Sequence, residues 1–180
     1  MLSDTQKFDR NLLYRLSIFE IAFYFAYWYG MTFAPEYPSP LWFPDSVLLC
    51  ALLISPRSTW WMYLLAPLPI RLMVAVAPGT SIWFLVAVFV NDSLKCLLAA
   101  ALLRRRSNDA PWFHSLRGFM DYLLFAVALT PALSAVAGVT TRMAFGLASE
   151  FWPAWWQWFL GNALPNLSPL LPDAYSRSGW

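Results

Sequence analysis

One stretch constrains the fold more than any other, the run WFLVAVFVNDSLKCLLAAALLRRR from Trp83 to Arg106. About 20 apolar residues in a helix suffice to cross a bilayer, so this stretch is long enough to span one. It ends in three consecutive arginines, which indicate a cytoplasmic position because short basic loops stay on that side. The sequence therefore predicts a membrane protein, and the arginines set its orientation.

Composition supports a membrane location and argues against nucleic-acid binding. The chain of 180 residues is 59% hydrophobic and 12% charged, against about 25% charged residues in ordinary soluble domains. A water-soluble fold of this size would expose too much apolar surface. The net charge is only +2, and the basic residues cluster at the N-terminus and in one loop, which is typical of membrane topology. Cys50 and Cys96 lie in apolar runs and are interpreted as small buried hydrophobes.

Six apolar segments predict an all-α, polytopic helix bundle with about six transmembrane helices and both termini in the cytoplasm. Their approximate bounds are 12–33, 46–55, 59–77, 83–106, 119–139 and 154–171. The second segment is short, but the arginine triplet would lie outside, opposite Lys7 and Arg10, if this segment did not span. Residues 1–11 are then a cytoplasmic segment, residues 12–172 the transmembrane domain and residues 173–180 a short cytoplasmic tail.

Prolines and loop charges complete the predicted topology. Pro67 and Pro69 are expected to interrupt the third segment and Pro131 to kink the fifth, because proline cannot donate a helix hydrogen bond. The loop before the second segment contains Glu36 and Asp45 and no basic residue. This loop is therefore expected on the outer face.

Ionisable residues at membrane depth form the candidate site. They are Glu20 in the first segment, Arg71 in the third, and Asp92 and Lys95 beside Asn91 in the fourth. Asp92 and Lys95 lie three residues apart, so they can pair within one helix. One interpretation is a ligand site or switch, since charge inside a membrane is usually functional. The other is a structural network that fixes helix register, with Lys95 and Arg71 extending toward their nearer surfaces.

The remaining polar positions point to helix contacts and not to catalysis. Asn162 and Asn166 are four residues apart on the sixth segment and are predicted to make interhelical hydrogen bonds. His114, the only histidine, lies in the basic loop. The sequence contains no Walker loop and no GxGxxG, HExxH or GxSxG motif. We therefore expect no enzyme activity, no catalytic residue, no cofactor and no metal.

Four motifs, in order, resemble those of the MASE1 family of bacterial membrane-associated sensor domains. They are LWFPDSVLLCALL at 41–53, FVNDSLK at 89–95 followed by the arginine triplet, PALSAVAG at 131–138 and WWQWFLGNAL at 155–164. The resemblance implies a sensory input module of the bacterial inner membrane. Such modules usually precede a histidine kinase or an enzyme that makes or degrades cyclic-di-GMP. The implied partners are the lipid bilayer and either a separate signalling protein or a second copy of the chain.

The chain departs from that family pattern in two places. Pro165 stands where the family often has a small residue, and the family usually continues with further spans and an output domain, whereas this chain ends at Trp180. It is therefore interpreted as a truncated copy or a stand-alone module without an output domain. Neither the stimulus nor the ligand follows from the sequence. The alternatives are a small-molecule-binding membrane transport subunit and a scaffold that recruits a cytoplasmic protein through the loop 104–117.

Overall fold

A computed structural model describes residues 4–32, 39, 41–74, 80–106 and 115–167, with side chains from residue 11 onward. All regular secondary structure in these ranges is helical, and none of the described residues forms a strand. The fold is therefore all-α, as the sequence predicts. The predictions that concern Glu36, His114 and the tail 173–180 lie outside the described residues.

Each of the six apolar segments forms helix within its described residues. The helices are α1 (Asp4–Thr32), α2 (Phe43–Ile54), α3 (Trp60–Leu65), α4 (Leu68–Val74), α5 (Ile82–Arg106), α6 (Leu116–Tyr122), α7 (Thr130–Ala144) and α8 (Phe151–Asn166). A 3₁₀ turn at Arg57–Thr59 precedes α3, and a π-helical segment at Leu123–Leu129 joins α6 to α7. The third apolar segment thus consists of α3 and α4, and the fifth consists of α6, the π-helical segment and α7.

Prolines explain both irregular segments. Pro67 separates α3 from α4 because its ring clashes with the preceding turn. Pro69 then lies in the first turn of α4, where a missing N–H costs little. Pro131 follows the π-helical segment, and the Thr130 hydroxyl donates a hydrogen bond of 2.8 Å to the Phe125 carbonyl. The predicted irregularity of the fifth segment therefore takes the form of a π-helical insertion, a rare feature that is frequently found at functional sites.

The start of α2 corrects the predicted outer loop. The helix begins at Phe43, with Pro44 and Asp45 in its first turn, whereas the apolar run begins only at Ser46. Proline is favoured at the first helical position and an acidic side chain near the helix N-terminus. Asp45 therefore belongs to the helix, and its side chain is 2% exposed. The prediction that placed it in an outer loop was wrong.

The core brings the helices together around α2 and α5. Helix α2 packs against α1, α5 and α8, while α7 packs against α5 and α8. The main apolar cluster includes Phe23, Leu52 and Leu103, which are all 0% exposed. A smaller cluster of Ala135, Val139 and Trp158 joins α7 to α8. The polar side chains of α2 and α5 consequently face an interior that several helices enclose.

Within the part of the chain that the structure describes, two helical stretches are long and apolar enough to cross a membrane. They are Ile82–Arg106 and Leu116–Ala144, in which an 18-residue window has a mean hydropathy of 1.8 and 2.0, respectively. The apolar helix Phe43–Ile54 is shorter. By length and composition, α5 and the α6–α7 stretch are candidate membrane spans.

Candidate functional site

Four charged side chains meet in the interior of the helix bundle. Asp45 of α2 and Asp92 of α5 are each 2% exposed, Lys95 of α5 is 5% exposed and Arg71 of α4 is 7% exposed. Two acids and two bases give the cluster no net formal charge. Buried ions are costly unless each has a partner of opposite sign, so the arrangement of these four groups decides whether the core is stable.

The charges alternate in sign along one continuous chain of contacts. The Arg71 Nη1 donates a hydrogen bond of 2.8 Å to Asp92 Oδ2, and its Nη2 lies 3.4 Å from Asp45 Oδ1. The Lys95 ammonium donates to Asp45 Oδ2 and to the side-chain oxygen of Asn162. We call the residues Asp92, Arg71, Asp45, Lys95 and Asn162, in this order, the charge chain. It links helices α2, α4, α5 and α8.

Asp45 is the shared member of the charge chain. Its carboxylate contacts both cations, whereas the Asp92 carboxylate forms an ion pair only with Arg71 among the described residues. Helix α2 carries Asp45 into this position because its first turn lies against α8, where the Trp42 N–H donates a hydrogen bond of 2.8 Å to the Gly161 carbonyl. One carboxylate therefore couples α4 to α5.

Aromatic rings surround the Arg71 guanidinium. Its central carbon lies 5.4–5.9 Å from the centroids of four rings, which belong to Phe23, Tyr27, Trp42 and Phe89. Arginine suits such a place because its planar, weakly hydrated cation stacks on aromatic faces, and cation–π attraction strengthens when the group is desolvated. The rings of α1 and α5 thus hold the cation where the two aspartates can reach it.

A second group of hydrogen bonds lies beside the charge chain. The Ser46 hydroxyl donates to Asn166 Oδ1 at 2.6 Å, and Asn166 Nδ2 donates to the Ala126 carbonyl at 2.7 Å. The Tyr122 hydroxyl donates to the Asn166 carbonyl at 2.8 Å. Helix formation with π geometry leaves carbonyls without their usual partner, and Asn166 satisfies one of them. These contacts connect α2 and α8 to the π-helical segment.

The structure brings together some predicted site residues and separates others. Arg71, Asp92 and Lys95 share the charge chain, but Lys95 pairs with Asp45 and not with Asp92. Both cations point into the core, so the predicted extension toward the surfaces does not occur. Asn91 Nδ2 donates 2.9 Å and 3.2 Å hydrogen bonds to the side chain and carbonyl of Ser134 in α7. It therefore joins α5 to α7, and among the described residues its side chain donates no hydrogen bond to the charge chain.

Glu20 does not belong to the network. It is half-buried on α1, and among the described residues it forms no ion pair and its Oε1 has no hydrogen-bond partner. Its predicted membership was wrong, and Asp45 is the second acid. The missed signal was local: Pro44 and Asp45 directly precede an apolar run, which is a helix-start pattern.

The chemistry of this site is electrostatic. The described residues contain no group of three His, Cys, Asp or Glu side chains that could hold a metal ion. The charge chain offers fixed cations and anions in a water-poor interior, where a change of partner is energetically large. Comparison with protein-family models, curated proteins and solved structures found no match.

Proposed function

We propose that the chain is an integral membrane protein of six transmembrane helices, with both termini in the cytoplasm of a bacterial cell. The support is that charged side chains are buried and large apolar side chains are exposed, the reverse of the arrangement in a water-soluble protein. Asp45 and Asp92 are 2% exposed, whereas Trp83 and Trp152 are 74% and 68% exposed. Only 28% of the most apolar window of α5 is buried by the protein. Lipid is the solvent that suits such a surface, because large apolar patches in water promote association.

The basic side chains support the proposed orientation. The Arg104 Nη2 donates hydrogen bonds of 2.7 Å to the carbonyls of Leu53 and Ser55, so the arginine triplet and the turn that contains Arg57 lie at the same end of the bundle. Clustered basic residues favour the cytoplasmic side. The turn between α7 and α8, which contains Ser149, then lies on the outer side.

Single cysteines test this orientation. In a Cys50→Ala, Cys96→Ala background, Ser58→Cys and Ser149→Cys each place one thiol at an exposed serine. We expect a membrane-impermeant maleimide to label the variant at position 149 in spheroplasts, and to label position 58 only after permeabilisation. The opposite pattern, or labelling of both sites without permeabilisation, would contradict the proposed topology.

Within this membrane domain we propose a sensory input function, in which a stimulus alters helix packing and a separate signalling protein responds. The observation that carries the proposal is the position of Asp45 between two cations on different helices. A stimulus acts on such a device only if it favours one packing over another. Strengthening the contact of Asp45 with Arg71 or with Lys95 would move α2 relative to α4 or α5. The resemblance to MASE1 domains supports the same function.

The partner can be identified by photocrosslinking. A benzophenone amino acid at Ser58, on the proposed inner side, is compared with the same residue at Ser149. We expect the inner site to capture a histidine kinase or a cyclic-di-GMP enzyme in the native host. Capture of a transport ATPase would favour a transport subunit and contradict the sensory function.

Asp92→Asn then tests whether the charge chain controls the signal. We expect this variant to shift kinase phosphorylation or the cellular cyclic-di-GMP concentration at unchanged protein level. Asp121→Asn is the matched control, because Asp121 forms no ion pair among the described residues. An output equal to that of the wild type in both variants would exclude the charge chain as the switch.

A further inference from the structure

A cavity opens at the turn between α7 and α8, away from the charge chain. Its volume is about 480 Å³, and it is lined by the last turn of α7, the connecting residues and the first two turns of α8. Ligand pockets commonly measure about 300–1,000 Å³, so a small molecule fits. In the proposed orientation the cavity faces the outer side of the membrane.

Two opposite charges line this cavity without pairing. Arg142 and Glu150 both contribute to its walls, yet all salt bridges among the described residues involve the charge chain. Glu150 also caps α8 through its backbone position only, since its side chain makes no capping hydrogen bond. A cation and an anion that line one cavity without forming a salt bridge are complementary to a molecule that carries both charges.

The turn itself uses little of the hydrogen-bonding capacity of Arg142. One nitrogen, Nη2, donates a bond of 2.9 Å to the Leu147 carbonyl, which fixes the guanidinium against the connection. Its Nε is buried and has no partner among the described residues. Arginine has five donors arranged to bind a carboxylate.

We infer that this cavity binds a small zwitterion of the α-amino acid class. Arg142 would hold the carboxylate and Glu150 the ammonium group. The walls also contain Ser149 and Gln157, which are polar, and Leu147, which is apolar. The inference deepens the proposed function, because it names the stimulus of the sensory module, and it rests on that function for its biological meaning.

Binding can be measured on the purified full chain in nanodiscs, without any signalling partner. The probes are glycine, alanine and leucine, compared with acetate and methylammonium, which each carry one of the two charges. We expect the amino acids to bind at least about tenfold more tightly than either single-charge probe. Microscale thermophoresis or calorimetry provides the dissociation constants.

Two charge-removing variants and one control test the assignment. Arg142→Gln and Glu150→Gln are each expected to weaken amino-acid binding about tenfold or more, since charge-assisted hydrogen bonds are lost. The control is Arg105→Gln. Arg105 is exposed at the C-terminal end of α5, so this substitution should leave amino-acid binding unchanged. Because Glu150 makes no capping bond, Glu150→Gln keeps the fold even if Arg142→Gln disturbs the turn; melting curves check both.

The outcomes separate this inference from the proposed function. The zwitterion site is overturned if no amino acid binds. It is also overturned if acetate binds as tightly as alanine and Glu150→Gln does not weaken binding. Either result leaves the signalling proposal standing. Amino-acid binding that both variants weaken supports the site. If that binding leaves kinase phosphorylation and cyclic-di-GMP unchanged in cells, the site stands and the sensory function fails.

Discussion

Ser46 and Asn166, which are 120 residues apart in sequence, share a buried hydrogen bond of 2.6 Å between Oγ and Oδ1. Ser46 directly follows Asp45, the shared carboxylate of the charge chain. Asn166 in turn binds the Ala126 carbonyl of the π-helical segment. The bond therefore connects the charge chain to the π-helical segment between α6 and α7. A movement of α2 would displace groups in both.

We expect Asn166→Ala to destabilise the protein by about 1–3 kcal/mol, because it leaves the Ser46 hydroxyl and the Ala126 carbonyl without partners in a buried place. Asn166→Asp is the informative comparison. It keeps an oxygen for Ser46, but it replaces the donor to the Ala126 carbonyl with a second oxygen and adds a buried charge, so its loss should be at least as large as that of Asn166→Ala. Unfolding by SDS titration, followed by circular dichroism in detergent, measures both.

Asn166→Asp tests the hydrogen bond between Asn166 and the π-helical segment. If Asn166→Asp is as stable as the wild type, the bond to the π-helical segment contributes nothing and the proposed connection is lost. Ser17→Ala is a suitable control, since the Ser17 hydroxyl only bonds the Leu13 carbonyl of its own helix at an exposed site.

We expect Asp45→Asn to lower the free energy of unfolding more than Asp92→Asn does. Asp45→Asn leaves Lys95 without an anionic partner, and breaking a buried pair typically costs about 3–5 kcal/mol. Asp92→Asn leaves Arg71 its contact with Asp45, so a smaller loss is expected. Equal losses for the two variants, measured by the same SDS titration, would mean that Asp45 is not shared.

A double variant checks the pairing directly. Asp45→Asn with Lys95→Met removes an anion and the cation that it contacts, so the combined loss should be smaller than the sum of the single losses. Asp45→Asn with Asp121→Asn is the matched comparison, because Asp121 has no ion pair among the described residues and its effect should add. Additive losses in the first pair would contradict the observed contact.

The sequence predicted the helices better than it predicted the site. Apolar length and prolines are local properties, so the helical segments and the interruption at Pro67 could be derived from them. Pairing depends on how the helices are rotated and where they cross. Lys95 meets Asp45 across 50 residues, and no local pattern distinguishes that partner from Asp92, three residues away. Glu20 lies at membrane depth by sequence, yet its half-buried position on α1 does not bring it to a cation among the described residues.

The three arginines at the end of α5 are equivalent by sequence but not in the structure. The Arg104 guanidinium binds the carbonyls at the C-terminal end of α2 and lies 5.3 Å from the Trp60 ring centroid. Arg105 is exposed. We expect Arg104→Gln to cost about 1.5–3 kcal/mol, the range for hydrogen bonds to charged groups, and Arg105→Gln to stay within about 0.5 kcal/mol.

These two substitutions remove the same charge, so any effect on membrane orientation should be equal. Thermal unfolding in detergent, with topology checked by cysteine labelling at Ser58, separates the two contributions. A similar stability loss for both variants would indicate that the triplet acts only through its charge, as the sequence alone suggested.

The contact between α7 and α8 depends on the absence of a side chain at Gly138. A Cβ at this position would lie 2.5 Å from ring atoms of Trp158, closer than any relaxed contact allows. We expect Gly138→Ala to lose about 1–3 kcal/mol, the usual cost of overpacking a core. Gly146→Ala provides a contrast, because a Cβ there meets nothing within 4 Å and its φ of +71° alone causes strain, at about 1–2 kcal/mol.

Shortening the tryptophan should rescue only one of these variants. Trp158→Phe removes Cζ2, one of the two indole atoms that lie 2.5 Å from a Cβ at Gly138, and so relieves part of the clash. The Trp158 Nε1 has no hydrogen-bond partner among the described residues to lose. The Gly138→Ala, Trp158→Phe double variant should therefore be more stable than the sum of its single losses predicts, whereas Gly146→Ala with Trp158→Phe should be additive. Differential scanning fluorimetry of the purified single and double variants measures each loss of stability. If both pairs are additive, close packing of Trp158 on Gly138 does not set the approach of α7 and α8.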